Sequence, residues 1–160
     1  MQLNPSDLSS RRSDFLIANI VSNPSETSWS QAYHAGNLFA VLSLQKETSE
    51  EIESDSLSAI GKKILDTLEQ NFFTIENKNL ESVKQAVIES SKTIPDTIES
   101  SFVVGVFVKD ILYLFTNDKG KVFMKRENSF GTILESNDPN AKSIASGSGF
   151  VKNYDLIVLG

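Results

Sequence analysis

The sequence predicts an α+β fold built on antiparallel sheets. Two amphipathic stripes of helical period occupy residues 57–72 and 79–93. After Pro95 the apolar period shortens to that of strands, and the two helices follow each other without a strand between them. An order of β-β-α-α and then a run of strands excludes the alternating βαβ pattern of a parallel sheet.

Each element has its own signal. Residues 1–13 are polar, carry Pro5 and read as a loose leader. "DFLIANIVS" (14–22) is apolar and β-branched and reads as a strand, with turn chemistry following in "NPSETSWSQ" (23–31) at Asn23–Pro24. "NLFAVLSL" (37–44) has almost no polar face, which predicts a strand buried on both sides. "QKETSEEIESDS" (45–56) is acidic and reads as a solvated loop; it lacks the regular ligand spacing of a calcium loop.

Leu57, Ile60, Ile64, Leu68 and Phe72 make the stripe of the first helix. Gly61 within it costs about 1 kcal/mol relative to alanine and fits best where another element packs close. Asn79 is a good N-cap for the second helix, whose face is Leu80, Val83 and Val87. Short strands follow at 101–108, 111–116, 121–127 and 130–136. The first two join at Lys109–Asp110, and the next pair is expected to form a hairpin through Asn117–Asp118–Lys119–Gly120, with Gly120 supplying a positive φ. Residues 143–153 and 154–160 are expected to form another strand pair.

Composition narrows the function. The chain has 160 residues, 39% of them hydrophobic, which suits one cored domain. A net charge of −6 argues against nucleic-acid binding and against adsorption to anionic lipid. The absence of cysteine excludes disulfides, thiolate zinc sites and cysteine nucleophiles. No apolar run approaches the roughly 20 residues that span a bilayer, and the N-terminus has no signal-peptide h-region. The expected setting is cytoplasmic.

Isolated features weigh little. His34, the single histidine, lies in "AYHAGN" without a nucleophile elbow and reads as a surface or turn residue. "SGSG" (146–149) lacks a phosphate-binding lysine and reads as a flexible turn or a glycine-bearing strand with a bulge. Trp29 is expected to be partly buried against the fold. Asp14, Asp110, Asp118, Asp138 and Asp155 are scattered, and the sequence does not show them converging.

Three strings nevertheless resemble the PP2C (PPM-type) metal-dependent protein phosphatase family. "GNLFAVLSLQK" (36–46) is similar to the family's "glFaVaDGhGG" strand before two long helices. "LYLFTNDKGKVFMKR" (112–126) matches the rhythm of "LyvaNvGDSRayLyR", and "YDLIVLG" (154–160) matches the start of "gDlllLaSDG". The resemblance covers nearly the whole chain and implies an α-β-β-α sandwich of antiparallel sheets with a helix pair. It implies a single domain over 1–160 that lacks the C-terminal part of the family fold.

Family members hold two Mg²⁺ or Mn²⁺ ions with aspartates at strand ends, and the metals activate a water that attacks phosphorus. Here the family's Asp-Gly falls at Ser43–Leu44, and its Gly-Asp-Ser-Arg falls at Asp118–Lys119–Gly120–Lys121. "RRSDF" (11–15) is similar to the family's "R..NeDsf", which leaves Arg12 (or Arg11) as the candidate phosphate ligand and Asp14 as the candidate metal ligand. With most metal-binding aspartates missing, the resemblance implies a pseudophosphatase or regulatory module, no expected cofactor, no catalytic residue, and a protein as the possible partner. The alternative is an active Mg²⁺- or Mn²⁺-dependent Ser/Thr phosphatase whose other ligands have moved or lie beyond residue 160. A third reading is an unrelated α+β interaction domain with the same layering.

Overall fold

The computed structural model describes residues 16–47, 56–138 and 143–160. The elements are β1 (Ser28–Ala35), β2 (Leu38–Gln45), α1 (Leu57–Phe73), α2 (Leu80–Ser91), β3 (Glu99–Val108), β4 (Ile111–Asp118), β5 (Lys121–Arg126), β6 (Ser129–Glu135), β7 (Ile144–Phe150) and β8 (Leu156–Leu159). They form a five-stranded sheet, β1-β2-β3-β4-β7, and a three-stranded sheet, β6-β5-β8. Every strand pair is antiparallel. The expected fold class is the observed one.

Both helices lie on one face of the large sheet, α1 over β1 and β2 and α2 over β4 and β7. Their apolar stripes make the main core: Ile64, Leu68, Val83 and Val87 are fully enclosed against Leu38, Leu42, Phe102, Val104 and Phe115. Ser56 caps α1 by accepting from the Ala59 N–H. Asn79 caps α2 in a reciprocal capping box with Ser82, at 2.9 and 3.0 Å. Gly61 meets the expectation of close packing, because the Trp29 indole lies directly on it and a Cβ there would overlap the ring. Trp29 itself is buried.

The small sheet packs on the other face of β3, β4 and β7. A second core of Val103, Leu112, Leu114 and Val122 fills that space. The small sheet does not extend over β1 and β2. So β2 is enclosed on its helix face, while Phe39, Val41 and Ser43 on the opposite face are only half-buried, which corrects the expectation of burial on both sides.

Three other expectations need correction. Of the expected strand 14–22, residues 14 and 15 lie outside the described residues and 16–22 carry no regular structure; the edge strand that pairs with β2 is 28–35. β1 alternates polar and apolar residues at the sheet edge, a weaker signal than the apolar run before it. Next, β4 and β5 are not a hairpin: β4 pairs with β3 and β7, whereas β5 pairs with β6 and β8. Asn117–Gly120 is the corner where the chain leaves one sheet for the other. Finally, β7 and β8 do not pair with each other, and Gly147 and Gly149 sit within a ladder of unbroken register.

Candidate functional site

The corner between β4 and β5 lies beside the ends of β2 and β3. Across four strands the register aligns Ser30 with Ser43, Ser43 with Ser101, and Ser101 with Asp118. Three successive strands therefore present hydroxyls in one row. Ser30 also exchanges a hydrogen bond with Ser22, Oγ to Oγ, at 3.0 Å.

Neutral groups hold the corner together. The Asn117 side chain is buried; its Oδ1 accepts from the Phe102 N–H at 2.7 Å, and its Nδ2 donates to Ser100 Oγ at 3.0 Å. The Gly120 N–H donates to the Asn117 carbonyl at 2.9 Å. Gly120 does not have a positive φ, contrary to expectation. It is required for space: a Cβ would overlap Thr116 Oγ1 and come within 2.7 Å of Val103 Cγ2. The cations at this corner are paired. Lys119 Nζ lies 2.6 Å from Glu99 Oε2, and Lys121 Nζ lies 3.2 Å from Glu135 Oε2.

Two dications need several carboxylates to offset their mutual repulsion. The row offers three neutral serines and, among the described residues, Asp118 as the one carboxylate in register with them, while Lys119 and Glu99 beside it neutralise each other. Among the described residues no group of three or more His, Asp or Glu side chains is placed to hold a metal. This donor set does not fit a binuclear Mg²⁺ or Mn²⁺ site. Arg12 and Asp14, the two candidates named from the sequence, lie outside the described residues. Ser30 was not a candidate, because its place opposite Ser43 follows from a strand boundary that the apolar pattern does not reveal. His34 is exposed; its Nε2 is 2.9 Å from the Gly36 carbonyl and its ring stacks on Phe39.

The other end of β5 is charged. Arg126 binds Asp155 in a bidentate pair, Nε to Oδ1 at 2.9 Å and Nη2 to Oδ2 at 2.6 Å, and Nη2 also donates to the Phe150 carbonyl at 3.1 Å. The Lys152 N–H donates to Asp155 Oδ2 at 2.8 Å. The Asp155 side chain is only 1% exposed. Its pKa is held down to about 2, first by the Arg126 hydrogen bonds and then by the Lys152 N–H. Of the scattered aspartates, Asp155 thus ties β5 to β8, while Asp110 is exposed in the turn between β3 and β4.

Comparison with solved structures decides the fold family. The Mycobacterium tuberculosis serine/threonine phosphatase PstP superposes with a TM-score of 0.59 at 11% identity, covering 88% of this chain and 73% of that one, and the PstP catalytic domain in complex with two manganese ions gives 0.61 at 10% identity over 88% and 72%. The chain has a PP2C-like fold. PppA of Pseudomonas aeruginosa, a regulatory component of its type VI secretion system, gives a TM-score of 0.57 at 11% identity over 82% of this chain and 74% of that one. The phosphatase domain of Bacillus subtilis SpoIIE gives 0.54 at 14% identity over 84% and 59%. No family model matches the sequence, and no curated sequence matches it closely. At these identities the likeness establishes the PP2C-like fold alone. The corner described above carries Ser43 and Lys119 where the family strings carry aspartate.

Proposed function

We propose that this PP2C-like domain is a binding or regulatory module, a pseudophosphatase, and not a metal-dependent hydrolase. The observation that supports this is the hydroxyl row Ser30–Ser43–Ser101 at the strand ends, to which the register adds only Asp118 as a carboxylate among the described residues. A serine hydroxyl is neutral and cannot bridge two dications as a carboxylate does. We take the partner to be a protein and the setting to be cytoplasmic; among the described residues no helix is long and apolar enough to cross a membrane.

The second reading is an active Mg²⁺- or Mn²⁺-dependent Ser/Thr phosphatase. It would need Asp14 as a metal ligand, Arg12 as the phosphate ligand, and further carboxylates from elsewhere. Calorimetric titration with Mn²⁺ beside a p-nitrophenyl phosphate assay separates the two. The expected result is no two-site binding, no turnover and an unchanged melting temperature, since a ligand that binds only the native state must raise its stability. Tight two-site binding with turnover that is lost in Asp14→Ala would establish the hydrolase instead.

A further inference from the structure

The far end of β5 opens into a cleft of about 460 Å³, lined by Lys125, Arg126, Glu127, Lys152 and the turn Asn153–Leu156. We infer that this cleft is a docking site for an acidic peptide segment carrying an apolar side chain. It lies at the opposite end of β5 from the serine row, roughly 17 Å away for six residues of strand. The inference therefore does not rest on whether the corner performs chemistry.

Charge is the first support. The chain as a whole is acidic, yet three cations line this one cleft. Asp155 is taken up by Arg126 and the Lys152 N–H, so it neutralises the guanidinium and leaves the lysines. Neither Lys125 nor Lys152 makes a salt bridge among the described residues. Glu127 on the rim offsets one of the two, and a local positive surplus remains.

Backbone conformation is the second. Tyr154 sits at φ +69°, a left-handed geometry that disfavours any residue with a Cβ and in particular a bulky one. Its ring is fully exposed, so side-chain packing does not offset the strain, which is held by the turn in which the Asp155 N–H donates to the Lys152 carbonyl at 3.2 Å. Such residues occur at ligand clamps as well as in turns, and Glu127 on the same rim is left-handed too, at φ +54°. In the family string "gDlllLaSDG" a glycine stands at this place.

The third is the neighbouring surface. Lys125 is flanked in register by Phe130 on β6 and Leu156 on β8, and these are 66% and 55% exposed. Phe130 stacks on Phe123, with ring centroids 5.9 Å apart. An apolar side chain has a place on this platform while flanking carboxylates meet Lys125 and Lys152. Such a combination favours an acidic peptide over a free anion, which would use only the lysines.

The test is a titration of the isotope-labelled 160-residue chain with an acetylated, amidated hexapeptide of sequence EEDFEE, followed by amide shifts. Shifts are expected at residues 125–130 and 152–156. Lys125→Glu and Lys152→Glu should each weaken binding about tenfold, and raising salt should weaken it further. Tyr154→Gly should weaken binding without unfolding the chain. Three controls accompany it: a lysine-for-glutamate peptide, inorganic phosphate, and vesicles of phosphatidylserine. No shift, a lysine peptide that binds as well, or affinity unmoved by both charge reversals would overturn the inference. So would equal shifts from inorganic phosphate, which mark a simple anion site, or binding to vesicles alone, which marks a lipid surface.

Discussion

The two ends of β5 solve opposite problems. At the corner, Asn117 and Gly120 are neutral, close-packed and free of backbone strain, beside a half-buried serine row. At the far end, Arg126, Asp155 and Tyr154 gather charge, an open cleft and a left-handed residue. The corner is where the family strings carry acidic chemistry, and here packing has taken its place. Polar function in this molecule is therefore better sought at the far end, where Lys125 and Lys152 make no salt bridge among the described residues.

The largest expected effect tests the packed end. Gly120→Ala puts a methyl group against Thr116 and Val103, both fully buried, with the Asn117 carbonyl only 3.2 Å away. Backbone has to shift, and the loss should be about 2–3 kcal/mol. Gly147→Ala is the control, because its Cβ would meet only Leu134 at an ordinary 3.8 Å. That change should be neutral or slightly stabilising, since alanine is less free than glycine in the unfolded chain. Thermal melts of the two variants check the contrast, and equal effects would mean that the corner is not tightly packed.

This contrast also shows what the sequence carries. The helices were legible because their apolar period reflects a single buried face, β2 and β3 because they are nearly continuous apolar runs, and Gly61 was legible as a site of close approach. The role of Gly120 was not. Asn-Asp-Lys-Gly is a good local turn signal, but which sheet each flanking strand joins depends also on partners more than 20 residues away in β7 and β8. β1 was displaced for a related reason. An edge strand such as "SWSQAYHA" keeps its polar face, so the apolar run before it looked more strand-like. In the candidate site, Ser43 was readable from its string, while Ser30 needed the register. Arg12 and Asp14 lie outside the described residues.

The next effect tests the charged end. Asp155 has a folded pKa of about 2 against an ordinary 3.8, so the folded chain favours its ionised form. Its contribution is complete above about pH 4 and is lost as pH falls through about 2. Asp155→Asn keeps the shape and removes the charge that Arg126 grips. The variant should be about 1–2 kcal/mol less stable near neutral pH, the range for a charge-assisted pair that is partly open to water. The gap from the native chain should narrow between pH 4 and pH 2. Denaturant melts across that range check the sign, and a gap that is constant with pH would show that the pair does not couple to folding.

The smallest effect separates strain from use. Tyr154→Gly removes a Cβ from φ +69° and loses no buried surface, because the ring is wholly exposed. Relief of left-handed strain, on the order of 1–2 kcal/mol, is partly offset by the greater freedom of glycine in the unfolded chain. A net gain of about 0.5–1 kcal/mol should remain, read as a melting temperature higher by roughly 2 °C. Tyr154→Ala keeps the Cβ and should show no such gain, which distinguishes strain from any effect of the ring. If the glycine variant is instead less stable, the ring makes contacts that support the fold, and its conformation then needs no external ligand to explain it.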